Sequence, residues 1–127
     1  MSDCLYEIFV FMQSILIVDD DADFRQGLRI LLENRKHRVI EAPDGKAAMD
    51  FLRQSTVSLI VTDLVMPEQE GIETIQAIRQ AHPELKIVAI SGAEPHFLRV
   101  AKALGAHGTV QKSMRLDEIA QIIENFL

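Results

Sequence analysis

One cysteine, Cys4, is all the sequence offers among 127 residues. A lone thiol excludes an intrachain disulfide and fits a reducing compartment. Basic residues are also scarce: 13 Lys and Arg stand against 19 Asp and Glu, for a net charge of -6. With a pI near 5.1, the chain lacks the basic patch that binding nucleic acid or an anionic membrane requires. No apolar run is long enough to span a bilayer. The most apolar cluster (Leu5, Tyr6, Ile8, Phe9, Val10 and Phe11, interrupted by Glu7) has neither the basic flank nor the cleavage site of a signal peptide. Residues 1–13 therefore read as an N-terminal extension that packs on this domain or on a second copy, since adjacent exposed aromatics are an association hazard. Repeats, low-complexity tracts and linkers are missing, and His37, His82, His96 and His107 show no paired ligand spacing. All four are read as non-catalytic.

What is present is a single domain, residues 14–127, with a hydrophobic share of 48% and enough length for a real core. Its centre is Ser14 to Asp21, SILIVDDD. Four apolar residues in an unbroken run predict a strand buried on both faces, as in a parallel sheet covered by helices. The carboxylates that follow then lie at the strand's carboxyl end, where open α/β sheets place their ligands. Leu59 to Asp63 repeats the arrangement, an apolar strand ending on an acid.

Between these points the period alternates. Phe24, Leu28, Leu31 and Leu32 fall on one helical face, with Asp21 placed to cap its start. A short strand is expected at Val39–Ile40, then a turn and helix opened by Pro43, Asp44 and Gly45, with Ala47, Ala48, Phe51 and Leu52 inward. A third helix carries Ile72, Ile75 and Ile78 and stops before Pro83. Leu85 to Ile90 is a strand ending at Ser91 and Gly92; a fourth helix follows, closed by Gly105. Thr109 to Gln111 is the fifth strand, and the last helix carries Leu116, Ile119, Ala120 and Ile123, with Ile122 and Phe126 assigned to the core. Five strands alternating with five helices predict an α/β, doubly wound, five-stranded parallel sheet of flavodoxin-like order 2-1-3-4-5. That order brings Asp19, Asp20, Asp63, Ser91 and Lys112 to one rim.

Carboxylates within about 4 Å repel by roughly 4 kcal/mol per pair at an effective dielectric near 20. A hard dication offsets that cost, and Mg²⁺ favours a few carboxylates with sites left open to water or phosphate oxygen. Lys112 adds a fixed positive charge and Ser91 a hydroxyl donor, the parts phosphoryl transfer needs, with Asp63 as the nucleophile. Taken in order, ILIVDDD, the Asp63-Leu64-Val65-Met66-Pro67 stretch leading to Gly71, the Ser91-Gly92-Ala93 step, and Gly105-Ala106 followed by Lys112 resemble the receiver domain of two-component response regulators.

The resemblance implies that Asp63 accepts phosphate from a histidine kinase or a histidine phosphotransfer protein. It implies Mg²⁺ held by Asp20 directly, by Asp19 through water, by Asp63, and by the main-chain carbonyl of Val65. Ser91 would bond a phosphoryl oxygen, and Lys112 would bridge Asp63 or its phosphate. Such a chain catalyses only its own phosphorylation and dephosphorylation, so it is not expected to be an enzyme with an external substrate. The expected setting is the bacterial cytoplasm, without an output domain in this chain and without direct contact to nucleic acid or membrane. A homodimer through the fourth and fifth helices stays open.

Two positions depart from the family pattern. Thr109 stands where an aromatic ring usually switches inward, and Ser113 stands where proline usually follows the lysine. A cis bond before Ser113 would cost about 2.5–4 kcal/mol, so trans is expected. These departures support a second reading, a degenerate receiver acting as an interaction module without phosphorylation. A third, a Mg²⁺-dependent phosphatase, would want a second acid where Val65 stands. Val65 and Ala93 offer nothing to orient an attacking water, so the phosphoryl group is expected to be long-lived.

Overall fold

The computed structural model describes residues 14–64, 70–92 and 95–127, with the side chains of 70–71 and 95–98 outside that description. The extension at 1–13, Val65, Met66, Pro67 and Ala93, and the side chain of His96, therefore lie outside the described residues. Strands β1 (Ser14–Val18), β2 (Arg38–Ala42), β3 (Leu59–Asp63), β4 (Lys86–Ser91) and β5 (Gly108–Gln111) alternate with helices α1 (Ala22–Asn34), α2 (Gly45–Gln54), α3 (Glu70–Ala81), α4 (Pro95–Ala103) and α5 (Leu116–Asn125). The strands form one parallel sheet in the order β2-β1-β3-β4-β5. This is the expected doubly wound order.

The unbroken apolar run of β1 is explained by helices on both faces. Ile15 and Ile17 pack with Leu28 and Leu32 of α1 and with Ile119 and Ile123 of α5. Leu16 and Val18 face the other way, onto Ala48 and Leu52 of α2 and Ile75 and Ile78 of α3. Each such side chain contributes about 1.5–3 kcal/mol by leaving water. Ile122 and Phe126 join the α1–α5 layer, as their assignment to the core requires.

The edge strand β2 is longer than the predicted Val39–Ile40. It pairs along the whole of β1, from Ser14 with Arg38 to Val18 with Ala42. An edge strand accepts the polar Arg38 and Glu41, which is why the apolar pattern marked only its middle. Strand β4 likewise begins and ends one residue later than the apolar pattern indicates, and β5 starts at Gly108.

Helix ends follow local chemistry. Asp21 caps α1 by accepting from the N–H groups of Asp23 and Phe24, and Asp44 caps α2 by accepting from Ala47. The α1 carboxyl end closes with Lys36 N–H on Glu33 O and His37 N–H on Leu32 O, which sets Lys36 at φ +73°. The end of α4 closes the same way around Gly105 at φ +112°. There the positive φ calls for glycine, and a side-chain carbon would also lie 2.9 Å from Arg79 Nε and displace that side chain. Arg79 donates to Gly105 O at 2.8 Å and to Pro83 O at 2.6 Å.

His107 ties β5 to β4. Its main-chain N–H donates to Ile87 O at 2.7 Å, and its Nδ1 accepts from Ile87 N–H at 3.1 Å. Partial desolvation, then the charges of Arg79 and Lys86, hold its imidazole below the ordinary 6.5. Because the folded state resists this proton, the tie's contribution is complete above pH 6.5 and is lost as pH falls below it.

Two outcomes are expected in urea unfolding. Lys36→Gly should raise stability by about 0.5–1 kcal/mol, because glycine carries no penalty at positive φ. His107→Asn, which keeps an acceptor but takes up no proton, should lose less stability than the parent between pH 7.5 and 5.

Candidate functional site

The carboxyl edge of the sheet gathers the residues in question. Asp19 follows β1, and its N–H donates to Ala42 O at 3.1 Å. Its Oδ1 accepts from Asp21 N–H at 2.9 Å, which turns the other carboxylate oxygen inward. Asp63 ends β3, and the next residue is pinned by Leu64 N–H on Ile90 O at 2.9 Å. Ser91, fully buried, ends β4 and pairs with Gln111 of β5. Lys112 follows β5, with its main-chain N–H on Ser91 O at 3.0 Å.

The side chain of Lys112 closes the group. Its Nζ lies 2.8 Å from Asp19 Oδ2 and 2.9 Å from Asp63 Oδ2. It also sits 4.8 Å from the centre of the Phe24 ring, within reach of a cation–π attraction. Asp19 and Asp63 are 1% and 3% exposed, whereas Asp20 is exposed. The three carboxylates place oxygens within 4.8 Å of one another.

Burial pushes the Asp19 carboxyl above its ordinary 3.8; the adjacent Lys112 ammonium and the Asp21 N–H oppose this, and the charge of Asp63 adds to it. Burial would lower the Lys112 ammonium, but its bonds to Asp19 and Asp63 prevail and raise it above 10.5. Three carboxylates and one ammonium leave a formal charge of -2. The donors are all oxygens, and the buried Oδ2 of Asp19 has the ammonium close by yet accepts no well-aligned hydrogen bond. An all-oxygen, doubly negative, partly open site fits Mg²⁺.

Five predicted residues thus converge: Asp19, Asp20, Asp63, Ser91 and Lys112. Val65, the predicted carbonyl ligand, lies outside the described residues. Asp21 serves α1 as its cap. Thr109 is half-buried on β5 opposite Ala89, and the bond before Ser113 is trans, as are all described peptides. Sequence reasoning placed Phe24 only in the core and passed over Arg25 and Glu41. Arg25 donates from Nη1 to Asp19 O at 2.5 Å and from Nε to Glu41 Oε1 at 2.7 Å. The available signals were the position of Arg25 one turn after the α1 cap, and a lone acid inside β2.

A family model described as the response regulator receiver domain matches residues 15–124. This chain belongs to that family. The receiver is 31% identical over 117 residues to the sensor kinase CckA of Brucella abortus, covering 90% of this chain and 12% of that protein. A crystal structure of a LuxR-family two-component response regulator from Aurantimonas aligns at a TM-score of 0.83 with 34% identity, over 90% of this chain and 84% of that one. Response regulator TrrA of Thermotoga maritima, solved in complex with Mg²⁺–BeF, aligns at 0.82 with 25% identity, over 91% and 100%. Among the described residues, no helix is long and apolar enough to cross a membrane.

Removing the shared cation should expose its role. Lys112→Met should lower the stability of the metal-free receiver by about 3–5 kcal/mol, since two buried carboxylates lose their partner. Thermal unfolding in EDTA and in excess Mg²⁺ checks this: the variant should gain more from Mg²⁺ than the parent.

Proposed function

We propose that this receiver accepts a phosphoryl group on Asp63 from a phosphohistidine of a histidine kinase or histidine phosphotransfer protein, and acts as a phosphorylation switch. The observation that carries the proposal is the buried Asp63 carboxylate at the head of β3, with Lys112 Nζ at 2.9 Å and two further acids beside it. Receiver-family members are phosphorylated by histidine kinases, and the site here retains the residues for that chemistry.

An Asp63 oxygen forms the new P–O bond as the P–N bond to the donor imidazole breaks, and that electron pair returns to the ring nitrogen. The product is a mixed anhydride on Asp63. Asp19, Asp20, Asp63 and the Val65 carbonyl would hold Mg²⁺, which would supply positive charge to the phosphoryl oxygens. Lys112 is already in place to neutralise a second phosphoryl oxygen, and the Ser91 hydroxyl is the donor for a third. Buried walls around Asp19 and Asp63 keep the field of these groups strong. The receiver turns over no external substrate; it catalyses only gain and loss of its own phosphoryl group. Its place of action is the cytoplasm, through a protein partner.

A second reading, a phosphorylation-independent interaction module, is favoured by one observation: Thr109 leaves β5 without the aromatic ring expected at that position. One experiment separates the two. Incubation with acetyl phosphate and Mg²⁺ should add one phosphoryl group by intact mass, absent with EDTA and absent in Asp63→Asn. No gain from acetyl phosphate or from a phosphorylated histidine phosphotransfer protein would favour the module. The group, once formed, should persist for many minutes without partners; decay within seconds would contradict the lifetime inferred from Val65 and Ala93.

A further inference from the structure

The loop that carries Asp19 past the end of β1 is held from a direction the phosphoryl chemistry does not use. The sheet register between β1 and β3 ends at Val18 with Thr62, so the Asp19 carbonyl lies beyond the ladder. Arg25, one turn into α1, donates to that carbonyl from Nη1 at 2.5 Å. Its Nε meets Glu41 Oε1 at 2.7 Å, and Arg29 Nη1 meets Glu41 Oε2 at 2.9 Å. Glu41 belongs to β2, which pairs with β1 through Ile17. The chain of contacts therefore runs from the sheet edge, through one carboxylate and one guanidinium, to the backbone of a residue in the acidic site.

Two facts make this more than a surface ion pair. The Arg25 and Glu41 side chains are only 14% and 20% exposed, so the pair is held in one geometry. The contact also completes the restraint on Asp19, whose N–H, Oδ1 and Oδ2 are engaged by Ala42, Asp21 and Lys112. With its carbonyl tied as well, the Asp19 backbone has little freedom to shift and carry Oδ2 away from Asp63. A bare guanidinium near a dication would repel it; here Arg25 and Arg29 are balanced by Glu41 and by Glu33, whose Oε1 lies 3.3 Å from Arg29 Nε. The pair can thus order the loop without opposing the metal.

We infer that Arg25, oriented by Glu41, is a positioning residue that sets Asp19 for Mg²⁺ binding. The inference rests on the Mg²⁺ reading of the site. Outer partners that orient metal-binding groups typically change affinity by about 10–100-fold when removed.

The test is titration calorimetry with Mg²⁺ alone on the whole chain, with thermal unfolding in EDTA alongside. Arg25→Met should weaken Mg²⁺ binding about tenfold. Glu41→Gln should weaken it in the same direction, and Arg25→Lys should recover part of the loss. The double variant should be little worse than Arg25→Met, because both changes break one chain of contacts. An unchanged affinity in Arg25→Met would overturn the inference. So would tighter binding, the mark of a guanidinium that acts only by its charge. Should Arg25→Met fail to fold, the charge-preserving Arg25→Lys decides: it should still bind Mg²⁺ more weakly than the parent, and an affinity equal to the parent's would overturn the inference. If the parent itself binds no Mg²⁺, the metal reading fails first and the inference falls with it, an outcome distinct from parental binding that the variants leave untouched.

Discussion

A single ammonium shared between two buried carboxylates is the contact on which the site depends. Asp19 and Asp63 each meet Lys112 Nζ within 2.9 Å, and their oxygens lie no more than 4.8 Å apart. At that separation two like charges cost roughly 3.5 kcal/mol at an effective dielectric near 20. The sheet exists in this order, in functional terms, to make such a contact possible. Residue 19 lies just past the end of β1, residue 63 ends β3 beside it, and residue 112 follows β5 two strands away. The Lys112 ammonium lies over the Phe24 ring where it meets both acids. The core on either side of β1 is what fixes the strand ends closely enough for charges to be crowded without being separated by water.

The parallel sheet and its order were legible in the sequence because burial on both faces leaves an unbroken apolar signature in β1 and β3, and because acids stop both runs. The weakly marked elements were the ones at the edges. In β2 the polar Arg38 and Glu41 hide the strand's true extent, since pairing rather than apolar burial defines it there. The primary site residues were readable for a related reason: each stands at the end of a strand that announces itself. Arg25 was not readable, because its role comes from a main-chain contact to Asp19. Arginine on a half-exposed helix face carries no pattern that separates such a contact from ordinary solvation. Phe24 was seen as a core residue and is one, yet its ring also lies under the ammonium.

Thr109 and Ser113 flank the lysine on which everything else converges. Neither disturbs its placement: the Lys112 N–H reaches Ser91 O, Met114 N–H returns to Gln111 O in the next turn, and the intervening bond is trans. The acidic cluster is therefore independent of the two positions that depart from the family pattern. A small hydroxyl side chain on β5 leaves the acidic cluster intact while removing a bulky group from the neighbouring surface.

Arg79 holds one end of α4 in place. Its guanidinium binds the carbonyls of Pro83 and Gly105, clipping the tail of α3 to the turn that leaves α4. Ala106, immediately beyond, is buried and hydrogen-bonded back to Ala101. One end of α4 is thus riveted to the body of the domain, while the other begins just past Ser91. The carboxyl end of α4 is therefore anchored, through Gly105, by a guanidinium that belongs to α3.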